Sequence, residues 1–360
     1  YEGLVNIRSN FDVVDIPLWA AQSIIPQLYY ESNIIVWLQT TLGQILRIYQ
    51  REPYDYEKIL IKLEQFCVKK ADGIIADSKS ILDFLRSGYN LSPAQSQFIV
   101  PLGLPEVNDH YEKKEQDKLV KAIVVGRLEK RKGTPFLFEI LPHLLTKFPH
   151  LVIWFIGRDN SKSDGWWNEH HRTYEEYFKK LYPQYSRRVH FMGFVPEKKL
   201  TDLYNQADIL LMPSYYESFG LVFLEAMRKK IPIVAFNTGA AQEIFPNERN
   251  DGAILIEPDN RENFINQVGA LLESESLRKE IGNAGYERFI SNYTSEKMAK
   301  RTEEAYKEIS EQSRFKHTKK IYQVMEALDY GDAVSTIAIN NTSLLEELHQ
   351  PNIILSRYSH

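Results

Sequence analysis

Short apolar runs alternate with amphipathic stretches of helical length, and this alternation restricts the fold of the chain more than any other feature. In the second half, a helical segment follows each apolar run, and the runs lie near 120–126, 151–157, 188–193, 208–213, 231–236 and 252–256. Buried parallel strands that are joined by helices give this pattern. It predicts an α/β fold with a complete doubly wound domain at residues 119–292.

The first part of the chain, residues 1–110, shows the same pattern less completely. Strands are predicted at 11–16, 33–40, 73–76 and 97–101, and helices near 18–30, 55–70 and 79–88. We therefore expect a further domain with an incomplete parallel sheet. A polar, charge-rich stretch at residues 106–118 follows it and is predicted to be the interdomain linker.

The last part of the chain carries a separate pattern. A helix is predicted at 293–313, and a basic connector follows it at 314–320. A strand, a turn, a helix and a final strand are predicted over 321–355. We expect this tail to begin another unit, because the connector is typical of an interdomain linker. The alternative is a rearranged chain, in which residues 321–328 pair with the strands predicted at 11–16 or 33–40. Since the chain starts at Tyr1 rather than Met, we expect it to be a fragment.

Composition limits the classes of partner and site. A chain of 360 residues is too long for one ordinary core, which favours two domains. A formal net charge of -4 and a pI near 6.2 argue against a nucleic-acid partner. Cys67 is the only cysteine, which excludes an internal disulfide and a Cys-based metal site and indicates a reducing, cytoplasmic setting. No apolar run approaches the roughly 20 residues that a transmembrane helix needs.

Two glutamates, Glu217 and Glu225, stand eight positions apart after the apolar run near 208–213. A helix is predicted to begin near Gly220. Glycine lets the backbone approach a ligand closely, and the free N–H groups at a helix start favour an anion such as a diphosphate. We expect Glu217 to lie near the reacting centre and Glu225 to reach outlying hydroxyls from inside the helix. The alternative is that both are solvent-facing helix residues.

A cluster of cations follows the strand near 120–126, which ends at Gly126. Arg127 offers a planar fork for phosphate oxygens, and Lys132 offers a point charge. Together they are expected to hold a leaving diphosphate as negative charge develops on it. The alternative for such a basic loop is a solvated turn, and we interpret Lys130 and Arg131 in that way.

Two further features are weaker. A small-residue turn within residues 236–244 joins a strand to a helix, and an ordinary connection would look the same. An insertion after the strand near 151–157 holds residues that we interpret as loop or domain-surface residues rather than ligands: Trp166, Trp167, His170 and His171.

Taken in order, the three motifs resemble the donor domain of glycosyltransferase family 4. They read G-R-x4-K-G from Gly126, E-x7-E from Glu217 and G-A-A-x-E-I from Gly239. The resemblance covers roughly residues 11–309. It implies the GT-B fold, in which two Rossmann-like, doubly wound parallel-sheet domains face a cleft. Residues 119–292 would be the donor domain, and residues 1–110 the acceptor-side domain, whose first strand and Gly-rich loop are missing at the amino end.

The resemblance also implies a role for each matched residue. Arg127 and Lys132 would hold the nucleotide diphosphate, Glu225 the ribose hydroxyls and Glu217 the transferred sugar, so that Glu217, Arg127 and Lys132 form the catalytic set. The implied donor-binding set further includes Gly126 and, through backbone contacts, Phe219, Gly220 and Leu221. Enzymes of this family use no divalent metal, so neither a metal nor a cofactor is expected.

The activity that the resemblance implies is sugar transfer with retention. The donor would be a nucleotide-diphosphate sugar, and the acceptor a glycan, a polysaccharide or a lipid-linked molecule. The setting would be the cytoplasm, with peripheral contact at the inner face of the membrane. The tail at 320–360 resembles the opening of a second glycosyltransferase unit, so further such domains are expected. The alternatives on this fold are a noncatalytic nucleotide-sugar-binding module, a sugar-nucleotide epimerase and a phosphorylase.

Overall fold

The chain divides into two compact units. The computed structural model describes residues 13–29, 32–49, 51–89, 91, 95–106, 119–311, 321–325 and 352–356, and the statements below concern these residues. The first unit comprises Tyr1–Pro105 together with Ser295–His360, and the second comprises Glu106–Thr294. None of the described helices is both long and apolar enough to cross a bilayer.

The amino part of the first unit supplies four parallel strands that lie side by side in chain order. They are β1 (Val13–Pro17), β2 (Asn33–Leu38), β3 (Gly73–Ala76) and β4 (Ser96–Ile99). The helices between them are α1 (Ile24–Tyr29), α2 (Leu42–Ile48), α3 (Asp55–Lys70) and α4 (Lys79–Tyr89), and a 3-10 turn covers Trp19–Ala21. Helix α2 was not predicted from the sequence. Thr41 caps it by accepting a hydrogen bond from the Gln44 N–H at 3.2 Å.

The second unit contains one parallel sheet of six strands. They are β5 (Val120–Val125), β6 (Leu151–Ile156), β7 (Val189–Phe191), β8 (Ile209–Met212), β9 (Ile233–Phe236) and β10 (Ala253–Ile256). Their order across the sheet is β10-β9-β8-β5-β6-β7. This is the doubly wound order of dinucleotide-binding folds. The first strand lies at the centre, and successive strands are added first on one side of it and then on the other.

Helices join these strands in the second unit. They are α5 (Thr134–Lys147), α6 (Trp166–His170), α7 (Tyr174–Leu181), α8 (Glu197–Gln206), α9 (Leu221–Arg228), α10 (Ala241–Ile244), α11 (Arg261–Glu273) and α12 (Glu275–Asn292). On one side of the sheet, Phe136 of α5 meets Phe236 of β9 and Phe264 of α11 edge-on, with ring centroids 4.8 and 5.2 Å away. All three rings are buried. Such contacts fix the helices over the sheet that carries the site.

After the second unit, the chain returns to the first. Helix α13 (Ser295–Glu311) packs there, because the Ser295 N–H donates to the Leu104 carbonyl at 3.0 Å and Ile309 lies directly over Gly73. The prediction of a helix near 293–313 is therefore confirmed. The sequence did not show, however, that this helix belongs to the first unit.

The tail contributes two strands to the first sheet: β11 (Ile321–Met325) and β12 (Asn352–Ser356). Strand β11 pairs in parallel with β1, with Val13 opposite Ile321, and β12 pairs with β11. The sheet order is therefore β12-β11-β1-β2-β3-β4. The prediction that residues 314–360 begin a separate unit is wrong, since the tail pairs with β1 as the alternative required. The turn and helix predicted between these two strands lie outside the described residues.

Three carboxyl groups of the first unit are buried, and burial raises the pKa of each to about 7. Asp15 on β1 accepts a hydrogen bond from the Tyr306 hydroxyl of α13 at 2.5 Å. Asp77 follows β3 and accepts from the Trp37 indole N–H, and Glu64 lies on α3. The hydrogen bonds lower these pKa values only in part, because burial disfavours the ionised form more strongly.

We expect the first unit to lose stability as the pH rises from about 4 to about 7. In this window the unfolded carboxyls ionise while the folded ones keep their protons, so the free energy of unfolding falls by up to roughly 1.4 kcal/mol per pH unit for each group. Urea unfolding at a series of pH values measures this slope. Asp15→Asn removes one titrating group and should make the slope shallower; an unchanged slope would contradict the assignment of Asp15.

Candidate functional site

Three loops leave the carboxyl ends of the neighbouring strands β5, β8 and β9. They cover residues 126–133, 213–220 and 237–240. Because parallel strands end at the same edge of a sheet, these loops lie together. The loop after β5 and the loop after β8 also flank the point at which the strand order reverses, and open α/β sheets bind their ligands at this position. All three sequence motifs therefore converge on one edge of the second unit.

A buried ion pair joins the first two loops. The Lys132 ammonium lies 2.5 Å from a Glu217 carboxylate oxygen, and the two side chains are only 15% and 8% exposed. Burial would raise the pKa of Glu217, but the charges of Lys132 and Arg131 outweigh burial and hold it below the usual value. Burial lowers the pKa of Lys132, and Glu217 opposes that shift. Because an ammonium and a carboxylate in direct contact each favour the charged form of the other, we assign both groups as ionised.

Arg131 also links the same two loops. Its guanidinium donates to the Tyr216 carbonyl at 2.9 Å and to the Glu129 carboxylate at 2.6 Å. Glu129 is fully buried and also accepts from Asn160 at 2.9 Å. The interpretation of Arg131 as a solvated turn residue is therefore wrong, since its side chain is only 14% exposed. An acidic residue inside a basic loop was the signal that could have revealed this bridge.

Two glycines let the loops approach one another. Gly133 has a φ of 71°, and a Cβ there would lie 2.0 Å from the Pro213 carbonyl oxygen. Gly239 has a φ of 55°, and a Cβ there would lie 2.2 Å from the Glu217 carbonyl oxygen. The adjacent Ala240 N–H donates to that oxygen at 3.1 Å. The loop at residues 237–240 therefore does more than join β9 to α10, because it holds the backbone of Glu217 in place.

The other members of the predicted cationic loop are placed differently. Gly126 directly follows β5 with a φ of 137°, and the Lys132 side chain passes beside it. Arg127 is 59% exposed and lies 3.7 Å from Glu129, so its guanidinium can reach a ligand over the loop. Lys130 points elsewhere, since its ammonium pairs with Glu169 at 2.5 Å.

The second predicted glutamate lies on α9, which begins directly after Gly220. Glu225 accepts a hydrogen bond from the Tyr204 hydroxyl at 2.5 Å. Burial raises the pKa of Glu225, and this hydrogen bond counteracts the rise only in part. Gly220 has a φ of 89° and precedes Leu221, the first residue of the helix. Phe219 is buried, so it can offer a ligand its backbone rather than its ring.

The insertion after β6 packs as part of the domain. Trp166 is buried, and its ring lies 3.8 Å from that of His170 and 4.5 Å from that of Tyr174. The interpretation of Trp166 as a loop or surface residue is therefore wrong, whereas His171 is exposed as expected. Among the described residues, no group of three His, Cys, Asp or Glu side chains is arranged to hold a metal ion.

Comparison with known proteins identifies glycosyltransferases both by a family model and by individual relatives. A model of the family described as "Glycosyl transferases group 1" matches residues 107–288, which is half of the chain. An uncharacterised glycosyltransferase of Methanocaldococcus jannaschii is 28% identical over 267 residues, which cover 70% of this chain and 64% of that protein. D-inositol 3-phosphate glycosyltransferase of Corynebacterium urealyticum is 26% identical over 68% of this chain and 59% of its own length. The chain thus spans about three-fifths of these curated relatives.

Solved structures share the fold. Sucrose-phosphate synthase of Thermosynechococcus elongatus matches with a TM-score of 0.66 at 22% identity, over 84% of this chain and 74% of its own. S. aureus TarM, solved with UDP and alpha-GlcNAc-glycerol, matches with a TM-score of 0.60 at 16% identity, over 79% of this chain and 54% of its own. These likenesses support the GT-B fold that the motifs implied.

Proposed function

The chain belongs to the glycosyl transferases group 1 family, and from this premise we propose that it transfers a hexose-like sugar from a nucleotide diphosphate to a glycan, polysaccharide or lipid-linked acceptor. The transfer proceeds with retention and without a metal ion or other cofactor. The observation that carries the proposal is the Lys132–Glu217 pair, which joins two motif loops at the switch point of the second sheet.

In this proposal the cations of the first loop bind the donor diphosphate. Arg127 is exposed enough to close over it, and Lys132 adds a fixed charge that Glu217 and Gly126 hold in place. The N–H groups at the start of α9 add further positive potential. As the bond from sugar to diphosphate breaks, negative charge grows on the leaving oxygens, and these groups stabilise it in the way a metal would elsewhere.

The glutamates have separate tasks in the same proposal. Glu217 faces the transferred sugar, where its carboxylate is kept ionised by its neighbours. Glu225 accepts hydrogen bonds from the ribose hydroxyls, with Tyr204 holding its carboxyl group. Gly220, Phe219 and Leu221 contribute backbone contacts. TarM was solved with UDP, so a site on this fold accommodates a nucleoside diphosphate of the class proposed here.

Two alternatives make different predictions for the same site. A noncatalytic nucleotide-sugar-binding module would bind a donor without releasing the nucleoside diphosphate, and an epimerase would release a changed sugar nucleotide. A panel of nucleotide sugars, each tested for binding by thermal shift and for nucleotide release, distinguishes them from a transferase. Release of the nucleoside diphosphate that depends on an acceptor supports the transferase.

We expect Arg127→Ala and Lys132→Ala each to weaken binding of a nucleoside diphosphate roughly 10- to 100-fold, because each removes a charge-assisted hydrogen bond to the same oxygens. Calorimetric titration with UDP, GDP and ADP measures the change. Lys130→Ala is the matched control, since it removes the same charge from the same loop but from a side chain that pairs with Glu169. Equal losses in all three variants would contradict the assignment.

Glu225→Gln should raise the dissociation constant of the donor about tenfold and leave turnover nearly unchanged, because it weakens bonds that the ground state and the transition state share. Since burial raises the pKa of Glu225, donor affinity of the unaltered protein should also fall on acidification, as the carboxylate takes up a proton. The glutamine variant should lack this pH dependence. A variant that keeps the pH dependence would assign it to another group.

We further propose a cytoplasmic location, with peripheral contact at the inner face of a membrane. Cys67 is the only cysteine of the chain and is a buried free thiol, which suits a reducing compartment. A lipid-linked acceptor would require the protein to work at a bilayer surface.

A further inference from the structure

Helix α3 of the first unit carries an apolar stripe on its solvent side. Tyr56, Ile59 and Leu63 are 66%, 61% and 36% exposed and are spaced by three and four positions, so they line one side of the helix. At 3.6 residues per turn, the buried residues of α3 centre roughly 110° around the helix from this stripe; they are Glu57, Glu64, Cys67 and Val68. The stripe therefore borders the side that packs into the unit, but its own three side chains remain exposed.

A row of lysines runs parallel to this stripe. Lys58, Lys62 and Lys69 are exposed, and their spacing by four and seven positions aligns them along the helix. At 3.6 residues per turn, the lysine row lies roughly 100° around the helix from the apolar stripe. Lys58 has a salt bridge to Asp55 at 2.9 Å, but both groups are highly exposed. Such a pair contributes little to stability, and it leaves most of the charge of Lys58 available to a partner.

The outer side of α3 is consequently basic, in a chain whose net charge is negative. Lys70 is exposed as well, and Asp55 is the one exposed carboxylate of the helix, since Glu57 and Glu64 are buried. Tyr54 precedes the helix and is 59% exposed. An apolar stripe with one tyrosine in it, a second tyrosine beside it and a row of lysines along it is the pattern of a helix that lies in a membrane interface.

We propose that the outer side of α3 binds the surface of a bilayer that contains anionic lipid. The apolar stripe enters the boundary between headgroups and acyl chains, and the lysine row meets the lipid phosphates. A second copy of the chain is a poorer occupant, because two such faces would bring their lysine rows together. This side of α3 is thus the surface that contacts the membrane in the peripheral location proposed above, and its binding to lipid does not depend on catalysis.

Co-sedimentation with lipid vesicles tests this surface. The unaltered protein should bind vesicles of phosphatidylcholine and phosphatidylglycerol more tightly than vesicles of phosphatidylcholine alone, and added salt should weaken the difference. The triple variant Lys58→Ser, Lys62→Ser, Lys69→Ser should lose about 100-fold in binding to the anionic vesicles. The triple variant Tyr56→Ser, Ile59→Ser, Leu63→Ser should lose binding to both kinds of vesicle.

Matched controls come from the second unit. Lys198→Ser with Lys199→Ser removes exposed lysines from α8, and Leu181→Ser removes a leucine that is 47% exposed; both should bind vesicles as the unaltered protein does. Equal losses in the controls, or no preference for anionic vesicles, would overturn the proposal. Self-association that Ile59→Ser abolishes would show instead that a second copy covers the stripe. Nucleotide release in the absence of vesicles tests the catalytic proposal separately.

Discussion

Replacing Glu217 by glutamine is expected to lower turnover about 100- to 1000-fold, while the dissociation constant of the donor changes less than about tenfold. The carboxylate faces the transferred sugar in the proposed mechanism, where charge develops as the bond to the diphosphate breaks. An amide keeps the size and shape of the side chain but removes this charge. Steady-state turnover and calorimetric donor binding, measured on the same preparation, separate the two effects.

The buried partner of Glu217 makes a folding control necessary. Glu217→Gln leaves the Lys132 ammonium buried beside a neutral amide, and breaking a buried ion pair can cost roughly 3–5 kcal/mol of stability. Urea unfolding of the variant shows whether enough folded protein remains at the assay temperature. Glu225→Gln is the matched comparison, because it neutralises the other glutamate of the same motif. A folded Glu217→Gln variant with normal turnover would refute the role of Glu217.

Gly239→Ala is expected to destabilise the second unit by roughly 2–5 kcal/mol and to abolish most of the activity. The φ of 55° costs an alanine about 1–2 kcal/mol, and a Cβ placed 2.2 Å from the Glu217 carbonyl oxygen forces the backbone apart. Any shift that relieves this overlap moves Glu217 relative to Lys132. Chemical unfolding and turnover should therefore both respond.

Gly193→Ala separates the cost of a positive φ from the cost of the overlap with Glu217. Gly193 has a φ of 60°, but a Cβ there would meet no described atom within 4 Å. This control should lose only the roughly 1–2 kcal/mol that the left-handed backbone costs and should keep its turnover. If Gly239→Ala is no more destabilising than Gly193→Ala, the loop after β9 does not hold Glu217 in the way described.

The strands of the second unit could be predicted from sequence because each is a short apolar run with its own local pattern. Helix α2 could not, since its seven residues are too few for a clear helical period. The pairing of β11 with β1 was predicted only as the alternative to a separate unit. It joins residues about 300 positions apart, and no local pattern records which edge of a sheet a distant strand will occupy.

The motifs identified the candidate site residues but not how they are held. Lys132 and Glu217 lie 85 positions apart, and their contact follows only from the neighbouring positions of β5 and β8. The side chain of Arg131 was predicted to be exposed to solvent, because a cluster of cations in a loop is usually solvated. Its burial depends on Glu129 and on the Tyr216 carbonyl, and these partners become visible only when the loops are placed in space.

The return of the chain to the first sheet sets an order for folding during synthesis. Residues 106–294 form the second unit as one continuous segment, so a ribosome releases everything that this unit needs before it makes β11. The pairing of β1 with β11 can form only after the tail has emerged, so this part of the first sheet is completed last. The second unit can therefore finish folding while the first still lacks β11, because all strands of the second unit are made before the tail.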